Sequence, residues 1–488
     1  MTSNPLFLTR FRGRLGCADI RAGLHDQIIG GDMVIDGPFG PQPMLYADYV
    51  ASGRALASIE QTMLREVLPV YANSHTEASY CGARISALRR EARARVAELC
   101  GAGPEHAVIF TGSGATAGLN RLVHLLGVRQ ALASGRGVTV IVGPYEHHSN
   151  ILPWRESGAR VVEIAEAAEG GPDMAALDAA LAEAKGLVIG TFSAASNVTG
   201  IVTDVVAVTK KLKAAGALAV WDYAGGGPYL PIAMQPAVGV QIDAIAASPH
   251  KFVGGPGASG LMILRRDVVA SDVPTFPGGG TVRFVSPDGH DYLTDVVERE
   301  EAGTPNILGD IRAALALEVK DAVGQAEIDR RNRDLAARGL AAFGKVPRVR
   351  LLGNAECPRL PIFSFLVVAA ESGFVHPQLA TRMLSDGFGI QARGGCACAG
   401  PYGHRLLGID AATSNALRTR ILAGDEVDKP GFVRLNLSYL MSEADVARII
   451  AAVQELPEFI DRHAHRYVWN AAAGVFDPVR ETASAAAR

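Results

Sequence analysis

Between residues 108 and 264 the chain repeats one pattern: a short apolar run, a turn rich in glycine or polar residues, and then in several cases a helical stretch. The apolar runs are Val108–Thr111, Val138–Val142, Val161–Ile164, Leu187–Thr191, Leu218–Trp221, Ala244–Ala247 and Leu261–Leu264, with helical patterns at Met174–Leu181 and Val205–Ala215 among them. Strands that alternate with helices in this way build a mainly parallel sheet covered on both faces. The expected fold class is α/β. In such sheets ligands collect at the carboxyl ends of the strands, so the residues that follow each apolar run are the first candidates for chemistry.

Other segments frame this core. Residues 45–320 are expected to form the large domain and 321–475 a smaller α/β domain whose first strand is Pro361–Val367, reached through a long helical stretch from about Ile307 to Leu340. Residues 1–44 are expected to pack on the smaller domain, and the alanine- and charge-rich tail after Val475 (476–488) to fray. Ile85, Leu88, Ala92, Val96 and Leu99 share one helical face and should pack on the sheet.

A formal net charge of -3 with 20% charged residues points away from nucleic acid and anionic membranes and toward a small charged metabolite. The N-terminus lacks the apolar core of a signal peptide, and no run approaches membrane-spanning length, so a cytoplasmic protein is expected. Six cysteines (17, 81, 100, 357, 396 and 398) are too sparse for a disulfide framework and are expected as free thiols. The pair at 396 and 398 lacks the further ligands of a zinc site, so no metal is expected.

Four of the strand ends carry complementary groups. Ser248-Pro249-His250-Lys251 follows the run ending at Ala247 and places a lysine where it can lose its proton and hold an aldehyde cofactor as a Schiff base. Thr111-Gly112-Ser113-Gly114-Ala115-Thr116 opens a helix whose free N–H groups suit a phosphate. Asp222 follows Leu218–Trp221, where a carboxylate needs a cationic partner such as a protonated pyridine nitrogen; its alternative role is a turn or helix cap. Glu146-His147-His148-Ser149-Asn150 supplies an imidazole able to stack on a ring and move protons, or a plain polar loop. Together these are the supports that pyridoxal phosphate (PLP) requires.

The series Ser113–Thr116, Glu146-His147-His148-Ser149-Asn150-Ile151-Leu152-Pro153-Trp154, Asp222, Ser248–Lys251 and Ala302-Gly303-Thr304-Pro305-Asn306 resembles, in order and spacing, class V, fold-type I PLP enzymes, and most of all the group II cysteine desulfurases and selenocysteine lyases. The resemblance spans roughly residues 45–445 and implies a seven-stranded large-domain sheet. It further implies Lys251 as the Schiff-base lysine, Asp222 at the pyridine nitrogen, His147 on the ring, and Ala115, Thr116, Ser248 and His250 at the phosphate. By the same resemblance Thr304 reaches the cofactor of a neighbouring subunit, which implies a homodimer. Gly389–Pro401 resembles the loop whose cysteine takes sulfur from an amino-acid substrate, with Cys398 as nucleophile and Arg393 in the preceding turn, and Arg434 matches the arginine that grips the substrate carboxylate. The implied products are alanine and a persulfide on Cys398, for which a sulfur-acceptor protein is a possible partner.

Three features depart from that pattern. Gly225 stands where a glutamine usually bonds the cofactor's phenolic oxygen, the connection from Cys398 to Arg434 is long, and Cys396 replaces a common histidine. Cys396 is open to three readings: acceptor of sulfur from Cys398, partner in a local disulfide, or small buried residue. The glycines beside Cys398 are expected to let its loop move. A class V aminotransferase, epimerase or C–S lyase is the alternative within the same fold, and a cofactor-free scaffold for a sulfur-transfer protein the alternative outside it.

Overall fold

The computed structural model describes residues 6–16, 18–74 and 77–479. Cys17 and residues 480–488 of the expected tail lie outside these. Each of the seven apolar runs forms a strand: β1 His106–Gly112, β2 Val138–Val142, β3 Arg160–Glu163, β4 Leu187–Ser193, β5 Leu218–Asp222, β6 Ala244–Ala247 and β7 Gly260–Arg265. They lie in one sheet in the order β1-β7-β6-β5-β4-β2-β3. β7 runs antiparallel to both its neighbours and the other pairs are parallel. The carboxyl ends of β1, β2, β4, β5 and β6 open on one cavity.

A second, antiparallel sheet holds β8 Val349–Leu351, β9 Ile362–Val367, β10 Arg393–Gly395 and β11 Phe432–Asn436 in the order β8-β9-β11-β10. The helix Pro377–Phe388 packs on β10 and β11. Between β10 and β11 the long connection is itself structured, as helices Gly400–Leu407 and Ala411–Leu422. The first buries Tyr402 edge-on against Tyr145, ring centroids 5.0 Å apart, while the second has no buried residue.

Several expectations change in the structure. The stretch from Ile307 to Leu340 is two helices, Ile307–Val323 and Gln325–Phe343, because Gly324 adopts φ 85° and breaks the helical path. The apolar face of the helix Tyr80–Leu99 is buried at Ile85, Leu88, Ala92 and Val96, but its main neighbour is the helix Ile307–Val323 rather than the sheet. Helical periodicity names the buried face without naming what covers it. The tail does not fray at once: Val475–Pro478 pairs with Tyr467–Asn470, and Trp469 and Phe476 pack around His376. The N-terminal segment divides its contacts. Its helix Phe7–Leu15 packs on the helices Ile307–Val323 and Tyr80–Leu99, whereas the hairpin Val34–Gly37 and Gly40–Pro43 packs on Pro377–Phe388. Among the described residues no helix is long and apolar enough to cross a membrane.

Candidate active site

The cavity at the strand ends encloses about 280 Å³. Of the residues singled out from the sequence, Ala115, Thr116, His147, Asp222, Ser248, His250, Lys251, Arg393, Cys398 and Arg434 line it. Thr304 does not. It is exposed, and its Oγ1 accepts a hydrogen bond from Asn73 Nδ2 at 3.4 Å.

One end of the cavity is a helix N-terminus. Gly114, at φ 62°, starts the helix Gly114–Leu125, and a Cβ there would sit 2.9 Å from His250 Cε1 and 3.0 Å from Ser248 Oγ. Only glycine lets the chain from β1 pass so close to the turn after β6. Ser248 Oγ accepts the Ala115 N–H at 2.9 Å, and Thr116 Oγ1 lies 2.7 Å from Ser149 Oγ. Three strand ends thus meet in a concave rim of N–H and hydroxyl groups, a shape and polarity that suit a phosphate.

Lys251 ends a tight turn, Pro249–Lys251, held by its own N–H to Ser248 O at 2.9 Å. Burial, helped by the nearby Arg434 and Arg393 and opposed by Asp222, lowers its pKa to about 8. The segment before residue 54 braces this turn. Gly53 donates its N–H to His250 O at 3.0 Å, and a Cβ on Gly53 would fall 1.8 Å from Phe252 O. Asp222 is 3% exposed at the end of β5; its Oδ1 accepts the Ala224 N–H at 2.7 Å, and burial raises its pKa against that bond and the charge of Lys251. The expected turn role and the cavity-facing role therefore coincide in one carboxylate. His147 and His250 are each lowered to about 4, chiefly by burial and then by Lys251, so both rings are neutral near pH 7.

What holds His147 was not read from the sequence. Glu146, 2% exposed, accepts from Asn150 Nδ2 at 2.5 Å, from Ser193 N–H at 2.8 Å and from Ser193 Oγ at 2.7 Å. Asn150 Oδ1 in turn accepts from Trp154 Nε1 at 3.2 Å and Thr191 Oγ1 at 2.6 Å. The run Glu146–Trp154 therefore buries a polar network that ties the chain after β2 to the end of β4. Burial raises Glu146 to about 7 despite those bonds.

Asp48 was also missed. Its Oδ1 accepts from Arg434 Nη2 at 2.8 Å and its Oδ2 from Arg393 Nε at 2.9 Å, while Arg393 and Arg434 face each other across β10 and β11. Arg434 is 4% exposed, and its Nη1 donates to Asn197 O at 3.0 Å. Two like charges in register need a shared anion, and Asp48 supplies it from 345 and 386 residues away.

Cys398 sits in a tight turn. Ala399 N–H donates to Cys396 O at 3.3 Å, and the two central residues, Ala397 and Cys398, have φ 52° and 54°, the signature of a type I′ turn built without glycine. Holding non-glycine residues there costs roughly 1–2 kcal/mol each. Cys398 is exposed at the cavity, whereas Cys396 is half-buried and does not line it. Of the neighbouring glycines, Gly394 serves close packing, since a Cβ there would lie 2.7 Å from Thr381 Oγ1 and 2.8 Å from Pro377 O, whereas Gly395 adopts φ 123° with no close neighbour. Gly225 lines the cavity too, and a Cβ there would meet Asn197 Cβ at an ordinary 3.5 Å.

The family model for aminotransferase class-V matches residues 45–449. A probable cysteine desulfurase of Streptomyces coelicolor is 27% identical over 405 residues, covering 82% of this chain and 92% of that protein. Probable cysteine desulfurase 2 of Mycobacterium leprae is 31% identical over 345 residues, covering 69% of this chain and 78% of that protein. The apo structure of cysteine desulfurase from Thermococcus onnurineus superposes with a TM-score of 0.71 at 25% identity, covering 89% of this chain and 97% of that one. With the cavity at the strand ends, its lysine and its carboxylate, these matches place the chain in the aminotransferase class-V family, a family of PLP-dependent enzymes.

Proposed function

We propose that this protein is a cysteine desulfurase, or a selenocysteine lyase of the same kind, acting on a small amino acid with PLP. The observation that carries the reading is that one cavity is lined by an amine of lowered pKa, a buried carboxylate, a buried arginine and an exposed thiol: Lys251, Asp222, Arg434 and Cys398. The residues fit the cofactor. Gly114, Ala115, Thr116, Ser248 and His250 form the phosphate rim, Asp222 answers a protonated pyridine nitrogen, His147 provides a ring face, and Lys251 the tethering amine. Bound there, the cofactor supplies an electron-withdrawing ring that acidifies the Cα–H of the amino acid it holds.

The chain's own groups do the rest. Arg434 grips the substrate carboxylate with its guanidinium, and Arg393 adds positive charge beside it. Lys251, neutral above about pH 8, takes the Cα proton and later returns a proton to carbon. Cys398 Sγ as thiolate attacks the substrate sulfur: an S–S bond forms, the C–S bond breaks, and its electron pair stays with the carbon skeleton, which leaves as alanine. The persulfide remains on Cys398 for an acceptor, in the proposal a sulfur-transfer protein. Free thiols suit a reducing compartment, so the cytoplasm is the proposed location.

Thr304 supports a homodimer in this reading: it lies outside its own chain's cavity, on the surface, where it is available to a partner's phosphate site. Light scattering should return twice the monomer mass, and Thr304→Ala should weaken cofactor retention.

Cysteine and selenocysteine, each incubated with the holoprotein, test the reading when both products are identified by mass spectrometry. Alanine with a matching mass addition on Cys398 is expected, and Cys398→Ser should remove the addition. Transamination, epimerisation or elimination that persists in Cys398→Ser would instead make this a different class V enzyme. No reaction and no borohydride-fixed cofactor would leave a scaffold.

A further inference from the structure

The turn that carries Cys398 is held from outside itself by the other half of the cavity. Asn197 Nδ2 donates to Ala397 O at 2.8 Å, His148 N–H donates to Cys398 O at 2.9 Å, and His148 Nε2 accepts the Gly400 N–H at 2.9 Å. Two of these three bonds belong to one residue. A Cβ on Gly400 would stand 3.0 Å from His148 Nε2, so glycine is what allows the imidazole to reach the backbone there. On its other side His148 is bonded in sequence to His147, the ring that faces the cofactor site, and both follow the buried Glu146 network.

We infer that His148 is a positioning residue for Cys398: it clasps the strained Cys396–Ala399 turn to the wall of the cavity and couples the thiol's placement to the His147 side. A turn whose two central residues are both left-handed without glycine relaxes when its external bonds are lost. Removing the imidazole leaves the Gly400 N–H without its partner while the backbone bond to Cys398 O survives. The clasp requires an imidazole nitrogen that accepts. Burial and the charge of Arg155 keep His148 below the usual histidine pKa and thus neutral, which supplies that acceptor.

The inference deepens the proposed desulfurase reading, but two arms of its test do not depend on it. In the holoprotein, amide exchange at Ala399, whose N–H closes the turn onto Cys396 O, should run about fivefold faster in His148→Ala than in wild type, the order expected for loss of one hydrogen bond from a local opening equilibrium. His148→Gln, whose side-chain carbonyl can accept the same N–H, should restore most of the slower rate. Amide exchange at Gly400 in the wild-type protein should be slow, and this reading needs no variant to fold. With cysteine as substrate, His148→Ala should lower single-turnover persulfide yield while leaving KM within about twofold, because Arg434 and Lys251 are untouched. Unchanged exchange at Ala399 in His148→Ala, fast exchange at Gly400 in wild type, or no rescue by His148→Gln overturns the clasp. If exchange responds as expected while wild type forms no persulfide, the clasp stands and the desulfurase reading falls.

Discussion

The two halves of the cavity are built by different means. Lys251, Asp222, His147 and the phosphate rim stand at the ends of strands in a seven-stranded sheet, and the chain around them is fixed by close contacts such as Gly53 against the Phe252 backbone and Gly114 against the Ser248 and His250 side chains. Cys398 stands on a turn of unfavourable φ, joined to that frame by hydrogen bonds with Asn197 and His148. The first half positions by packing together with a buried polar network beneath His147, and the second by a few polar contacts to an exposed turn. In the proposed reading, groups that hold a cofactor need constancy, whereas a thiol that meets a substrate and then an acceptor needs a placement that can be released.

The sharpest way to separate the halves is to remove one reacting atom from each. Lys251→Ala should lower alanine formation by at least about 10⁴-fold and abolish borohydride-fixed cofactor. Cys398→Ser should abolish persulfide while leaving cofactor retention intact. If Cys398→Ser also lost the cofactor, the two halves would not be separable as described.

Asp48 joins them through Arg393 and Arg434. Asp48→Asn should destabilise the fold by about 3 kcal/mol, since it leaves a buried guanidinium without its anion, and should lower KM, since an arriving carboxylate no longer displaces a resident one; a denaturant melt reads the first effect. A melt unchanged from wild type would show that solvent replaces the carboxylate.

A smaller, graded effect comes from pH. Burial lowers Lys251 to about 8, and only the neutral amine captures an aldehyde. The rate at which apoprotein takes up PLP should therefore rise about tenfold per pH unit below that value and level off above it. The same profile for an exposed lysine would keep rising toward pH 10. Least disruptive of all, Gly225→Gln should alter unfolding stability by less than about 1 kcal/mol, because the nearest atom to its new Cβ lies at ordinary contact distance. A visible-spectrum titration would show whether the added side chain reaches the bound cofactor.

The same contrast governs what could be read before the structure. The strands of the large sheet were legible because buried parallel strands are unbroken apolar runs, and the cofactor-side residues because they follow those runs directly. Asp48 was not, since nothing local distinguishes a carboxylate that meets its arginines only through the fold. Nor was the turn at Ala397 and Cys398, where neither residue type announces φ above zero. Gly324 was visible as a letter, yet helical propensity on both sides hid the break it makes. In Glu146–Trp154 the specificity of the motif was evident and its physical basis, a buried network beneath His147, was not.

The shared ion pair also shapes what the pocket does to its ligands. In the proposed reading, a substrate carboxylate arriving at Arg434 competes with a resident anion already seated on the same guanidinium. Docking is consequently a partner exchange, and its net strength is the difference between two comparable attractions. In the proposed reading such a site would orient an amino acid without an over-tight grip, because Asp48 stands beside the guanidinium to replace a departing carboxylate.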